Sequence, residues 1–136
     1  MRIFLDANVL VSVLNREYPY YDACARCLSL ADKYGFNLVV SSLSLGIVFY
    51  FSEKKSGRKE ARRKIELLLQ KLSVAPCGDS EVRAAMQEKR AEDFEDALQF
   101  HSAKAVDSDF IISNNPTDYH FSSIQVRRPE DFLQEL

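Results

Sequence analysis

Short apolar runs alternate with longer segments of helical spacing along the whole sequence. Each run is long enough for one strand, and the runs occupy residues 2–6, 36–41, 73–76, 109–114 and 124–126. Between them, apolar side chains recur every three to four residues, which places them on one face of an α-helix. Strands that are separated by helices pair in parallel and are covered by helices on both faces. The sequence therefore predicts an α/β fold, a three-layer α/β/α sandwich with a mainly parallel central sheet, as one domain over residues 1–136.

Local start and stop signals define several of the helix ends. Gly35 is typical of a residue that ends a helix, and Pro129 suits the first turn of one. Ser41 or Ser42, and Asp93 further along, can cap the helices that follow them. We predict helices over residues 9–15, 20–34, 43–55, 58–72, 81–90, 94–105 and 129–136.

Composition limits the class of protein without identifying its function. The net charge is −2, so it neither requires nor excludes a nucleic-acid partner. The longest strongly apolar stretch, residues 43–51, is shorter than the roughly 20 residues that span a bilayer, and the N-terminus does not resemble a signal peptide. Three cysteines do not make a disulfide framework, which favours a reducing, cytoplasmic setting with no membrane association. Cys24 and Cys27 have no second ligand pair, so we interpret them as core residues.

Polar side chains follow three of the predicted strands. Asp6 comes directly after the first strand, Ser41 ends the second, and the stretch SNNPTD, with Asn115 and Asp118, follows the fourth. Ligands bind beyond the carboxyl ends of the strands in open parallel sheets. These side chains are therefore expected to converge at one edge of the sheet.

The stretch DFEDAL adds Asp93, Glu95 and Asp96 in the first turn of a helix. Gathered carboxylates are unfavourable unless a cation neutralises them, and Mg²⁺ or Mn²⁺ takes oxygen ligands and can activate water beside a phosphoryl group. We expect the positive end of the helix dipole to keep Glu95 and Asp96 ionised. Each acid also has a structural explanation: Asp6 and Asp118 as turn residues, Asp93 as a helix cap and Glu95 as a partner of the dipole.

Four segments resemble a known family. They are IFLDANVLVSVL, LVVSSLSLGIVFYF, DFEDALQFHSAKAVDSDFIISNNPTDY and IQVRRPEDFL. In this order they are similar to a PIN domain, and most similar to a bacterial subgroup related to VapC-type toxins. The resemblance covers essentially the whole chain. It implies a Rossmann-like PIN fold and an endoribonuclease that depends on Mg²⁺ or Mn²⁺.

The resemblance also implies roles for individual residues. Asp6 matches the first acid of the family and Asp96 the acid on the helix, with Glu95 beside it, so these three are expected to hold the metal. Asn115 falls where many PIN domains carry the next acid, and Asp118 where they carry a supporting one. Catalysis is then expected to depend on Asp6, Asp96, Asn115 and Asp118, supported by the polar residues Asn8 and Ser41.

The chain departs from the family pattern at two positions. Many PIN domains carry a glutamate in the helix after the second strand, where this chain has Gly46, and the acid expected at Asn115 is an amide. An amide oxygen still ligates a hard cation but adds no charge. A catalytically weakened PIN module that binds RNA or a protein partner without cleaving therefore remains the alternative. A phosphatase of the haloacid dehalogenase type is disfavoured, because its second aspartate is Asn8 here.

Positive charge is concentrated between residues 54 and 64, where seven lysines and arginines face one acid, Glu60. Such a helix attracts a phosphate backbone, although a solvated surface helix explains it equally well. The predicted RNA-binding residues are Lys55, Arg58, Lys59, Arg62 and Arg63. The resemblance to VapC-type toxins adds two further expected partners, a cognate antitoxin protein and a second copy of the chain in a homodimer.

Overall fold

Five strands form one sheet in the computed structural model, which describes residues 1–136. They are β1 (Arg2–Leu5), β2 (Asn37–Ser41), β3 (Leu72–Ala75), β4 (Phe110–Ile112) and β5 (Gln125–Arg127). Their order across the sheet is β3-β2-β1-β4-β5, and every neighbouring pair is parallel. The chain moves outward from β1 in one direction and then crosses back to β4. A crevice is expected where the strand order reverses, beyond the carboxyl ends of β1 and β4.

Eight α-helices and one 3-10 turn, Pro116–Tyr119, connect the strands. The helices are α1 (Ala7–Leu14), α2 (Tyr21–Leu28), α3 (Leu30–Tyr34), α4 (Ser42–Ser56), α5 (Arg58–Leu69), α6 (Asp79–Gln87), α7 (Phe94–Ala105) and α8 (Pro129–Gln134). None of them combines the length and the apolar character that crossing a bilayer requires.

Alternate strand residues enter two separate cores, one on each face of the sheet. Ile3 and Leu5 of β1 join a core to which α1 to α5 and α8 contribute. Phe4 joins the other core, together with Phe100 of α7. The period of two along a strand produces this division, since successive side chains point to opposite faces. The predicted three-layer α/β/α sandwich is confirmed, and its sheet is parallel throughout.

Most predicted elements are present, with changes at their ends. The helix predicted over residues 20–34 is two helices, α2 and α3, separated at Ser29, whose hydroxyl donates to the carbonyl oxygen of Ala25 at 3.4 Å. Hydroxyl bonding of this kind competes with the helical pattern. The helix predicted to reach residue 72 ends at Leu69, because Leu72 already belongs to β3. Gly35 ends α3 in the left-handed conformation, with φ of 68°, as its position predicts.

Candidate active site

A cavity of about 450 Å³ opens at the carboxyl edge of the sheet, where the strand order reverses. Six carboxyl side chains line it, and no lysine, arginine or histidine does. The six are Asp6, Glu17, Asp93, Glu95, Asp96 and Asp118, and Asn8, Asn114 and Asn115 lie among them. The structure thus brings together all but one of the acidic and polar residues that the sequence assigns to a site.

Asp6 is the most buried of these acids, at 4 % exposure. Its backbone N–H donates to the carbonyl oxygen of Ile112 at 2.9 Å, which fixes it to the end of β4. Its Oδ2 atom accepts hydrogen bonds from Ser113 Oγ at 2.9 Å, from Tyr119 Oη at 3.0 Å and, less closely, from Asn8 Nδ2 at 3.4 Å. Burial raises the pKa of the Asp6 carboxyl, and these hydrogen bonds oppose the rise.

Asp96 and Glu95 lie in the first turn of α7, below the cap that Asp93 provides by accepting from Glu95 N–H at 2.8 Å. Burial, and then the charges of Asp6, Asp93, Asp118 and Glu95, raise the pKa of Asp96 to about 7. Burial and the charges of Asp6 and Asp93 also raise the pKa of Glu95. Both pKa values therefore lie above their usual range, so burial and like charges oppose the expected help of the helix dipole, which stays a prediction.

Asn115 directly precedes the 3-10 turn and Asp118 lies within it, and both line the cavity while remaining exposed. The backbone N–H of Asn115 donates to Ser113 Oγ at 3.0 Å. Its neighbour Asn114 is buried, where its N–H donates to Asn8 Oδ1 at 3.2 Å and its side chain donates to Ser12 Oγ at 3.2 Å. Asn8 and the two asparagines therefore hold the segment after β4 against the start of α1.

Ser41 is the one predicted site residue that the structure does not bring to the cavity. It is fully buried, caps α4 by accepting from Ser44 N–H at 3.0 Å, and donates to Gln99 Oε1 at 2.7 Å. Gln99 Nε2 donates in turn to Ser44 Oγ at 2.8 Å. These bonds join the start of α4 to the middle of α7, so Ser41 acts on the packing of the helix that carries Asp96.

The wall formed by α4 is apolar. Ile47 and Phe51 line the cavity opposite the acids, together with Tyr20. Gly46, the position of the missing glutamate, is exposed, and a Cβ atom built there meets no other atom within 4 Å. The helix thus has room for a side chain at this position and carries none.

Two residues at the site, Tyr119 and Glu17, did not enter the sequence prediction. Tyr119 hydrogen-bonds to Asp6, and Glu17 lines the cavity and accepts from Ser12 Oγ at 3.3 Å. Ser113, which also donates to Asp6, directly follows β4 and belongs to the SNNPTD stretch that the sequence places at this edge. Tyr119 and Glu17 had no such sequence signal, since only the tertiary fold brings the turn after β4 and the loop after α1 to the cavity. Burial and nearby carboxylates raise the pKa of Tyr119, so its hydroxyl stays a donor.

The positive segment lies on the end of α4 and on α5, and all five predicted RNA-binding residues are exposed. Arg63 Nε donates to Glu60 Oε2 at 3.0 Å, and Arg58 Nε lies 3.6 Å from Glu53 Oε2. Lys55 Nζ donates to the carbonyl oxygen of Asn15. Only two of the five, Lys59 and Arg62, form neither an ion pair nor a hydrogen bond.

The donor set suits a hard divalent cation. Every candidate ligand at the cavity is a carboxylate or amide oxygen, the type that Mg²⁺ and Mn²⁺ prefer. The structure holds no cluster of three or more Asp, Glu, His or Cys side chains arranged as a complete metal site. Mg²⁺ commonly uses only one or two carboxylates and completes its shell with water. The crowding that raises the pKa of Asp96 is relieved by any cation bound between these acids.

Several solved structures share this fold. VapBC2 from Rickettsia felis, bound to a DNA fragment from their promoter, superposes with a TM-score of 0.74 at 18 % identity, covering 94 % of this chain and 98 % of that chain. VapC20 from Mycobacterium tuberculosis, a sarcin–ricin loop cleaving toxin, gives a TM-score of 0.64 at 16 % identity, covering 80 % of this chain and 86 % of that one. At these identities the likeness establishes the fold alone.

Sequence comparison adds a closer relationship. Ribonuclease VapC1 of Aquifex aeolicus is 31 % identical over 139 residues, which cover 98 % of this chain and 94 % of that protein. The PIN domain model matches residues 2–117, which include Asp6, Asp96 and Asn115. The chain therefore belongs to the PIN domain family.

Proposed function

We propose that this protein is a metal-dependent endoribonuclease that hydrolyses RNA phosphodiester bonds, and that it is the toxin of a VapBC-type pair. The observation that carries the proposal is the cavity itself, where six carboxyl side chains meet with no basic side chain among them. Folding gains nothing from such crowding, whereas a cation-dependent site requires it. The ribonuclease and toxin names of the relatives supply the substrate class.

In this proposal Asp6 and Asp96 hold Mg²⁺ or Mn²⁺, with Glu95 beside them. A bound cation would activate water and neutralise charge on the phosphoryl group. Asp118 and Asn115, on the exposed rim, would accept hydrogen bonds from the attacking water and orient it toward phosphorus. The apolar wall of Ile47 and Phe51 restricts the access of bulk water from the opposite side.

The proposed partners follow from the surface and from the relatives. Of the five predicted RNA-binding residues, Lys59 and Arg62 form neither an ion pair nor a hydrogen bond, and they contact the phosphates of single-stranded RNA away from the cut. The VapBC structures consist of a toxin with its antitoxin. We propose a cognate antitoxin for this chain on that basis, and a homodimer stays a prediction from the family resemblance.

The test replaces each anchoring acid by its amide. Asp6→Asn and Asp96→Asn should each lower the rate of Mn²⁺-dependent cleavage of a mixed RNA by about 10² to 10³, because each removes one charged ligand of the cation. Asp131→Asn, at an exposed position on α8, is the matched control and should cut at the parent rate. Cleavage by both site variants at the parent rate would refute the proposal.

A specific observation keeps the binding-only alternative in view. The glutamate that many PIN domains carry is missing at Gly46, an amide stands at Asn115, and no group of three or more acidic, histidine or cysteine side chains is arranged to hold a metal ion. Calorimetry with Mn²⁺ separates the two functions. A binding module gives no heat at millimolar Mn²⁺ while still binding RNA in a salt-sensitive way, whereas the proposed enzyme binds the cation.

A further inference from the structure

Tyr119 is the last residue of the 3-10 turn, and its side chain lies under the cavity floor. It is 2 % exposed, and its ring stacks on that of Phe121 with centroids 6.1 Å apart and planes 29° apart. The ring belongs to the core that also contains Phe4 and Phe100. Packing alone would be satisfied by phenylalanine, so the buried hydroxyl requires a separate explanation.

That hydroxyl has one hydrogen-bond partner, Asp6 Oδ2, at 3.0 Å. Ser113 Oγ donates to the same atom at 2.9 Å. No side chain donates to the other carboxylate oxygen, Oδ1. Oδ2 therefore has little remaining capacity to bind a cation, and these two hydroxyls set the orientation in which the Asp6 carboxylate would hold one.

The same hydrogen bond joins two separate segments of the site. Asp6 ends β1, whereas Tyr119 directly follows Asp118 in the turn that begins after Asn115. The turn is otherwise tied to this edge through Ser113 and Asn114. Tyr119 therefore fixes both the rotation of the Asp6 carboxylate and its distance from the Asp118 segment.

We propose that Tyr119 is a positioning residue of the metal site: its hydroxyl, together with that of Ser113, fixes the orientation of the Asp6 carboxylate, which would hold the cation. The inference rests on the proposed function, because it needs a cation at Asp6. Groups that hydrogen-bond to a metal ligand orient it, and their removal commonly weakens metal binding by 10–100-fold. The role concerns binding of the cation and does not require contact with RNA.

The experiment compares Mn²⁺ binding by the full chain and by Tyr119→Phe, followed by calorimetry and by Mn²⁺ paramagnetic resonance without RNA. We expect binding about tenfold weaker in the variant, since phenylalanine keeps the ring packing and removes only the hydroxyl. The Mn²⁺ concentration for half-maximal cleavage should rise by a similar factor, and saturating Mn²⁺ should restore most of the activity. Tyr34→Phe, an exposed position on α3, is the control and should bind as the parent does.

A second pair of variants, at Ser113, tests whether weaker Mn²⁺ binding comes from a general loss of structure. Ser113→Ala should also weaken Mn²⁺ binding, and Ser113→Thr, which retains a hydroxyl, should restore it. If the parent binds Mn²⁺ and both Tyr119→Phe and Ser113→Ala bind it equally well, the positioning role is refuted while the proposed function stands. If the parent itself binds no Mn²⁺, the proposed function fails and this inference fails with it.

Discussion

The acidic cavity and the positive segment of residues 54–64 are the two most highly charged regions of the molecule. They differ in whether their charged side chains have partners within the protein. In the cavity, six carboxyl side chains meet without a cationic partner. In the positive segment, Arg63 pairs with Glu60, Arg58 approaches Glu53, and Lys55 donates to a backbone carbonyl. The cavity has no cation to balance its acids, whereas the positive segment pairs two of its seven cations with nearby glutamates.

This difference distinguishes charged side chains that are paired within the folded protein from charged side chains that require a bound ligand. Surface ion pairs contribute little to stability, and a helix surface acquires them at little cost. Burial, and then uncompensated like charges, disfavour the ionised form of Asp96 in the cavity and raise its pKa to about 7, so ionisation of this carboxyl raises the free energy of the folded state. The cavity is therefore the stronger evidence of function, and in the positive segment only the cations without an ion pair or hydrogen bond, which include Lys59 and Arg62, are evidence of the same kind.

The largest expected effect comes from neutralising one cavity charge. Asp96→Asn should stabilise the metal-free protein by about 1–2 kcal/mol at pH 8, a rise of several degrees in melting temperature. A carboxyl whose folded pKa lies above its unfolded value costs stability as pH rises from about 4 to 7, and the cost is complete above pH 7. The gain should therefore nearly vanish at pH 4. Thermal unfolding in EDTA at both pH values measures it.

Added Mn²⁺ should make the parent more stable than Asp96→Asn, which is the reverse of the order in EDTA. The cation stabilises the parent by binding only its folded state, and Asp96→Asn should gain less from it. Asp131→Asn removes an exposed carboxylate and should change stability by no more than about 0.5 kcal/mol at either pH. An Asp96→Asn variant that is less stable than the parent in EDTA at pH 8 would show that crowding does not dominate the cavity.

The next effect concerns the positive segment. The double variant Lys59→Gln/Arg62→Gln should weaken binding of single-stranded RNA by about three- to tenfold, because it removes two cations with no partner within the protein. The salt dependence should also decrease, by about 1.4 in the slope of log affinity against log salt for two lost phosphate contacts. Fluorescence anisotropy in EDTA, where RNA is not cut, measures both quantities.

The matched control removes the same number of positive charges from paired positions. Arg58→Gln/Arg63→Gln leaves Glu53 and Glu60 in place and should weaken RNA binding less than the first double variant. If both double variants reduce the affinity for RNA and the salt slope equally, ion pairing within the segment does not determine which residues contact RNA. The comparison between paired and unpaired cations would then have to be abandoned.

The architecture was predictable because it depends on local patterns. The strand runs around Ile3 and Leu38 are apolar throughout, as both faces of a parallel sheet are buried. Gly35 and Pro129 mark helix ends by their own conformational preferences. The position of Asp6 at a strand end followed from the same patterns, and the structure places it at the cavity.

The contacts between distant segments could not be read from these patterns. Ser41 has the strand-end position of a site residue, but it is buried and its hydroxyl donates to Gln99, 58 positions along the chain. Sequence alone does not distinguish Tyr119 from an ordinary core aromatic, whereas in the structure its hydroxyl donates to Asp6, 113 positions earlier. The pKa of Asp96 likewise depends on its distance from Asp6 and Asp118, which no local pattern encodes.

The smallest predicted effect uses α4, the helix that joins the two charged regions. Gly46 lies on the half that borders the cavity, and the positive segment begins eight residues later at Lys54. Gly46→Gln and Gly46→Glu should both stabilise the metal-free protein, by up to about 1 kcal/mol, because either residue favours a helix more than glycine does. Gly46→Glu should be stabilised less than Gly46→Gln at pH 8, since the glutamate adds a negative charge near the acids of the cavity.

Metal binding then distinguishes the two substitutions. If position 46 faces the site as the family pattern implies, Gly46→Glu should bind Mn²⁺ several-fold more tightly than Gly46→Gln, because only the glutamate supplies a further charged oxygen ligand. The open space around this position allows either side chain to enter without moving a neighbour. Equal Mn²⁺ affinity in the two variants would place residue 46 outside the site. The missing glutamate would then not explain any weakness of the metal site, and the cavity would depend on the acids it already has.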